Sequence, residues 1–258
     1  MPLLRMVSFD TGDQEMLAAY AKISPDSIAA LGSITSSLVG KRILHVSSSA
    51  RGGGVAELLR SSCMFERMLG IESSWVVIED ASDFFVVTKK IHNGLQGAAH
   101  TLTPDKQETY FHIASLLQEH FGTIVRNLKP DLIILHDPQP LPLISQARQF
   151  APVIVRLHID LSTPYKPMVE MLMPMIRQSS RIILSSSNYR AAIIPYPENQ
   201  TNIIRPAIDP LIKKNIPLEH NAAKNILTRH GIDTSRPFIA QISRFDVWKD
   251  PIGAIDTY

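Results

Sequence analysis

Asp131-Leu132-Ile133-Ile134-Leu135-His136-Asp137-Pro138-Gln139 joins an apolar run to a polar end. Leu132–Leu135 is continuously apolar and ends in a polar turn with proline, which predicts a strand covered on both faces. The segment before it has a different period. Ile113, Leu116, Leu117, Phe121, Ile124 and Leu128 recur at steps of three and four, so they share one face of a helix. Working outward, strands are predicted at Arg42–Val46, Ser74–Ile78, Asp131–His136, Val153–His158, Arg181–Ser185, Asn202–Arg205 and Phe238–Ser243, with helical stretches between them. Such alternation predicts an α/β protein: a Rossmann-like parallel sheet with helices on both faces.

Residues 1–40 read differently, as an N-terminal arm of two short helices around Asp13–Lys22 and Pro25–Leu38. Residues 41–205 form the predicted lobe. Arg205-Pro206-Ala207-Ile208-Asp209-Pro210 opens a linker whose prolines block helix continuation, and a helix at about Leu218–His230 is closed by Gly231. Residues 237–258 read as the start of a second lobe, with Asp250 as helix cap and Pro251 at the first helical position. One strand and part of a helix cannot bury a core, so the ending at Tyr258 reads as a truncation, a split gene or an expressed fragment.

The 26 basic and 24 acidic residues leave a formal charge of +2, which gives no electrostatic case for a nucleic-acid or anionic-membrane partner. Cys63 is the only cysteine; it excludes an intrachain disulfide and suits a reducing cytoplasm. No run approaches the ~20 apolar residues of a spanning helix, and the first residues lack a signal-peptide layout.

Ligands of open parallel sheets bind at the carboxyl ends of strands, and four polar stations fall there. Gly52-Gly53-Gly54 stands between a strand and a helix, where free amides and the helix dipole can hold an anion. The alternative is a flexible loop, and the pattern matches neither dinucleotide-binding nor P-loop signatures. His136-Asp137-Pro138-Gln139 and His158-Ile159-Asp160-Leu161-Ser162 follow two strands and offer hydrogen bonds to sugar hydroxyls; either histidine can equally be structural. No compact HxxxH or Cys/His spacing supports a metal. Arg244 and Lys249 flank the loop before the last helix, placed to neutralise a diphosphate or to stand as two solvated charges.

Together, Gly52–Glu57 (GGGVAE), Phe84-Phe85, His92–Gly97 (HNGLQG), His136–Pro140 (HDPQP), His158–Ser162 (HIDLS), and Ser243–Asp246 (SRFD) with Trp248-Lys249 resemble the trehalose synthases and trehalose phosphorylases. These are retaining glycosyltransferases of the GT-B type, glycosyltransferase family 4. The resemblance runs from about Arg42 to the end of the chain. It implies two Rossmann-like lobes across a cleft, the first binding the acceptor and the second most of a nucleoside-diphosphate sugar. Full-length relatives would move glucose from that donor to glucose with retention, making trehalose; phosphorylases run related chemistry with phosphate. No metal and no cofactor are implied.

Carried onto this sequence, the resemblance gives the catalytic positions to His158 and Asp137. It sets Gly52, Gly53, Gly54, His136, Gln139 and Asp160 against the substrates, and Arg244 and Lys249 on the diphosphate. Asp250 stands where many relatives have glycine. The acidic pair that holds donor sugar and ribose would lie beyond Tyr258, so the expectation is an acceptor half-site, inactive alone. The implied partners are glucose or trehalose and a nucleotide-sugar, with a second copy of the chain or a separately encoded C-terminal lobe. The alternatives are a trehalose phosphorylase-type enzyme, a non-catalytic sugar-binding module, and another GT-B enzyme such as a sugar-nucleotide epimerase.

Overall fold

The structure is a computed structural model that describes residues 3–79, 82–99, 101–193, 196–243, 245 and 247–257. Chain order gives β1 (Leu3–Met6), α1 (Gln14–Ile23), α2 (Pro25–Thr35), β2 (Arg42–Ser47), α3 (Gly54–Met68), β3 (Glu72–Glu79), α4 (Ser82–Leu95) and α5 (Pro104–Leu128). There follow β4 (Leu132–His136), a 3-10 turn running into α6 (Ile144–Ala147), β5 (Val153–Leu157), α7 (Lys166–Ile176), β6 (Arg181–Leu184) and β7 (Thr201–Ile203). The last helices are α8 (His220–Arg229) and α9 (Pro251–Thr257).

Seven strands form one sheet in the order β1-β3-β2-β4-β5-β6-β7. All neighbours are parallel except β1, which lies antiparallel on β3. Strand parity divides the core. Leu44, Val46, Ile133, Leu135, Val153 and Val155 pack with Phe84, Ile91, Tyr110, Leu117 and Phe121 from α4 and α5. Trp75 and Val77 turn the other way, onto Ala56, Leu59 and Cys63 of α3. A parallel sheet needs cover on both faces, and these two clusters supply it where the central strands run.

Local chemistry sets several ends. Lys129 takes a left-handed conformation (φ 46), and its N–H caps the Val125 carbonyl to close α5. Gly231 (φ 75) closes α8 as the sequence predicts. Asp250 caps α9 through the Gly253 N–H at 3.1 Å, with Pro251 in the first turn.

Two sequence expectations need correction. The arm contributes the edge strand β1 as well as its helices. Phe238–Ser243 forms no strand, because no neighbouring strand pairs with it among the described residues. Ile242 accordingly stands 98% exposed and is not packed as a core strand residue would be. Contacts divide the chain after Asp209, a few residues into the predicted linker. Among the described residues no helix is long and apolar enough to cross a membrane.

Candidate functional site at the strand ends

The order of strands fixes where a crevice opens. From β2 the chain passes through α3 to β3 on one side; from β3 it returns through α4 and α5 to β4 on the other. The carboxyl ends of β2 and β4 are therefore a topological switch point, the usual place for a ligand in such sheets. The loops after β2, β4 and β5 carry the first three stations predicted from sequence.

Register brings three histidines into line. His45 pairs with Ile134, so His136 stands two residues further along β4. His136 pairs with Arg156, so His158 stands two residues beyond that, just past the end of β5. Residues two apart share a face, so the three rings descend one sheet face on a diagonal toward the crevice. His45 Nδ1 lies 3.1 Å from His136 Nε2, and His136 Nδ1 lies 2.9 Å from His158 Nε2. At the inner end His45 Nε2 meets Glu66 Oε2 of α3 at 3.0 Å.

Burial sets the protonation of His136 and His158. It pushes His136 well below the usual imidazole range, helped by His45, His158 and Arg156. His158 is lowered to about 4 by burial and then by the Arg156 charge. For Glu66, burial works upward, but His45, Ser73 and Arg156 outweigh it and hold the carboxyl below its ordinary value. Cys63, behind Glu66, is pushed up to about 12 by burial and by the Glu66 charge.

Asp137 links two strand ends. It sits in the left-handed region (φ 64), and its Oδ1 accepts the His158 N–H at 2.7 Å. Burial raises its carboxyl to about 7 against the opposing pull of the His158 amide, the Arg156 charge and the Ile159 amide. Next to it the Pro138 carbonyl accepts the fully buried Tyr110 hydroxyl at 2.6 Å, fixing the turn to α5. Gln139 Oε1 is buried without a hydrogen-bond partner among the described residues, as is Asn93 Oδ1 in the last turn of α4. The carbonyl of the adjoining Gly94 accepts the Tyr165 N–H at 2.9 Å, which ties that turn to the segment after β5. Asp160 is exposed and closes a local turn on the Ser162 N–H and hydroxyl at 2.8 and 2.6 Å.

The glycine station is open. Gly52 (φ 70) and Gly53 (φ 98) adopt conformations that side chains resist, and Gly54 begins α3; a Cβ added at any of the three would meet nothing within 4 Å. That leaves exposed backbone beside the amino end of α3. Lys249 belongs to the second unit and is exposed. Arg244 lies outside the described residues. A cavity of about 620 Å³ in the second unit is lined largely by Phe238, Ile239, Phe245, Pro251 and Ile255, and gathers none of the predicted site residues.

Sequence reading missed His45, Glu66 and Arg156, and gave Asn93 no role of its own within the His92–Gly97 stretch. His45 was visible as the one ring-bearing polar residue inside Arg42-Ile43-Leu44-His45-Val46, but its alignment with His136 needs the register. Among the described residues one group could offer three donor atoms to a metal: His45, Cys63 and Glu66 have them within 4.8 Å of one another. In the present arrangement both His45 ring nitrogens are engaged in hydrogen bonds and the thiol keeps its proton, so the group acts as a hydrogen-bonded cluster.

Residues 45–191 match the family described as "Trehalose synthase, N-terminal domain", a span that holds every station except the one at Arg244 and Lys249. A trehalose synthase of Pyrococcus horikoshii is 34% identical over 251 residues, covering 97% of this chain and 59% of that protein. One of Rubrobacter xylanophilus is 36% identical over 233 residues, 86% of this chain and 53% of its own length. A trehalose phosphorylase of Pleurotus pulmonarius matches at 30% over 131 residues, 46% of this chain and 18% of that protein. The chain thus spans between half and three fifths of the trehalose synthases it matches. With the strand-end stations of the sheet all inside the matched span, the chain belongs to the trehalose synthase N-terminal domain family.

Proposed function

We propose that the first unit is the acceptor-binding lobe of a retaining glycosyltransferase that moves glucose from a nucleoside-diphosphate-glucose to glucose, forming trehalose. The observation that carries this reading is the buried Gln139 Oε1, an acceptor just after β4 with no hydrogen-bond partner among the described residues. An unpaired buried acceptor costs ~1–3 kcal/mol, and a sugar hydroxyl is a donor that would satisfy it. Asn93 Oδ1 is a second such acceptor, tied through Gly94 to the segment after β5.

In this reading His158 stands beside the transferring glucose, and Asp137 holds it there through its backbone amide. Gly52–Gly54 let donor phosphates approach the backbone at the amino end of α3, where amides and dipole favour negative charge. Arg244 and Lys249 neutralise the diphosphate, stabilising the leaving group by charge without a metal. A phosphorylase reading is favoured by the match to the Pleurotus pulmonarius phosphorylase. It uses the same sugar contacts, with phosphate in place of the nucleotide.

The test joins this chain to the remaining C-terminal part of the Pyrococcus horikoshii protein. Trehalose formed from a nucleotide-glucose and glucose supports the synthase, and phosphate-dependent loss of trehalose supports the phosphorylase. A folded chimera with neither activity refutes both. The 258 residues alone are expected to give no multiple turnover.

A further inference from the structure

The row Glu66–His45–His136–His158 has an end-to-end polarity that hydrogen-bond chemistry dictates. Each link needs one proton between two heavy atoms, and each neutral imidazole carries one N–H. An ionised Glu66 can only accept, so His45 must hold its proton on Nε2. Its Nδ1 is then bare and must receive the Nε2 proton of His136. The bare Nδ1 of His136 in turn receives the Nε2 proton of His158. Mixed patterns set two lone pairs or two N–H groups face to face at 3.1 or 2.9 Å.

We propose that Glu66, His45 and His136 are positioning residues that lock His158 in the Nε2–H tautomer and leave its Nδ1 as a bare acceptor. No hydrogen bond reaches that nitrogen among the described residues, and His158 is only partly buried, at the strand ends where Asp137 and Gln139 also lie. Fixing a histidine's tautomer through its other nitrogen is the general means by which proteins set what the ring offers a ligand.

One competing pattern reverses the direction. An imidazolium at His45 would donate to both neighbours and turn His158 Nδ1 into a donor. The charges facing the row oppose it. Arg156 on β5 is already a cation beside Glu66, His136 and His158, with Asp137 and then Glu66 as the carboxyl groups that favour its charge. Asp137 is raised by burial, and Cys63 on α3 keeps its proton. A second cation at His45, 3% exposed, would share the one Glu66 carboxylate with Arg156 and leave a buried positive charge in excess.

That the bare Nδ1 meets a sugar hydroxyl rests on the function proposed above; the tautomer does not. Long-range nitrogen–proton NMR of the full chain with 15N-labelled histidine separates the two. At neutral pH His45, His136 and His158 are expected to show a protonated Nε2 and a bare Nδ1. An imidazolium at His45, or a protonated Nδ1 at His158, overturns the proposal whether or not any variant folds. Glu66→Leu removes the terminal acceptor, and a chain that keeps its amide spectrum should then show both tautomers at His158; an unchanged His158 also overturns it. Adding glucose should shift the His158 Nδ1 signal. If the tautomers are as stated and glucose moves nothing, the positioning stands and the sugar reading falls.

Discussion

Replacing Asp137 with asparagine should change how stability depends on pH. Asparagine keeps an oxygen for the His158 N–H and tolerates the left-handed backbone at φ 64. It cannot ionise. In the wild type, burial raises the Asp137 carboxyl from 3.8 to about 7. The sign follows directly: below the unfolded value both states are protonated and no penalty exists. As pH rises through the window from 3.8 to about 7 the unfolded chain ionises first, so stability is lost until the folded carboxyl ionises too. At ~1.36 kcal/mol per unit the full loss is about 4 kcal/mol, of which about 3 kcal/mol falls between roughly pH 5 and pH 8. His136 and His158, kept neutral by burial, act in the opposite sense, losing stability as pH falls, but both proteins contain them. Urea midpoints for wild type and Asp137→Asn across that range give the difference. The variant should gain on the wild type as pH rises. Parallel curves would refute a buried, raised carboxyl at the end of β4.

Gly53→Ala should cost ~1 kcal/mol in urea unfolding through its φ of 98 alone, since a Cβ there meets nothing, while Gly54→Ala at the start of α3 should cost nothing. Ser47→Ala removes the 2.9 Å partner of the fully buried Trp75 indole and should lower stability by ~1–3 kcal/mol, read by thermal melting. In the lobe-completed enzyme, Lys249→Ala or Arg244→Ala should abolish most trehalose formation. Lys249 is an exposed charge, so its loss should move stability by less than ~0.5 kcal/mol. Activity within about twofold of the parent would show solvated charges instead.

The central strands were legible because a strand buried on both faces is written as an uninterrupted apolar run, as in Leu132-Ile133-Ile134-Leu135. The same rule misled at Phe238–Ser243, where Phe238-Ile239-Ala240 is apolar but finds no strand to pair with among the described residues. A run of apolar residues states a preference; pairing is a tertiary event. Strand β1 has only four residues, and what makes it a strand is the edge of β3. The stations at Gly52–Gly54, His136–Gln139 and His158–Ser162 were readable as polar residues following strands. Their roles divided only in the structure: Asp137 clamps a backbone amide, Asp160 closes a local turn, and Gln139 is left with an unpaired oxygen. The histidine row could not be read in advance, because its members lie 91 and 22 residues apart and meet only through strand register.

Titration of the full chain with glucose and with trehalose, followed by amide NMR, decides whether the ends of β4 and β5 bind sugar. In the 258 residues alone each sugar hydroxyl competes with water at these strand ends. Millimolar affinity is therefore expected, roughly −4 kcal/mol or weaker. The signals of His136, Asp137, Gln139 and of His158 through Ser162 should move together and saturate together. Shifts confined to other residues, or micromolar binding of an unrelated ligand at these same amides, would contradict the account.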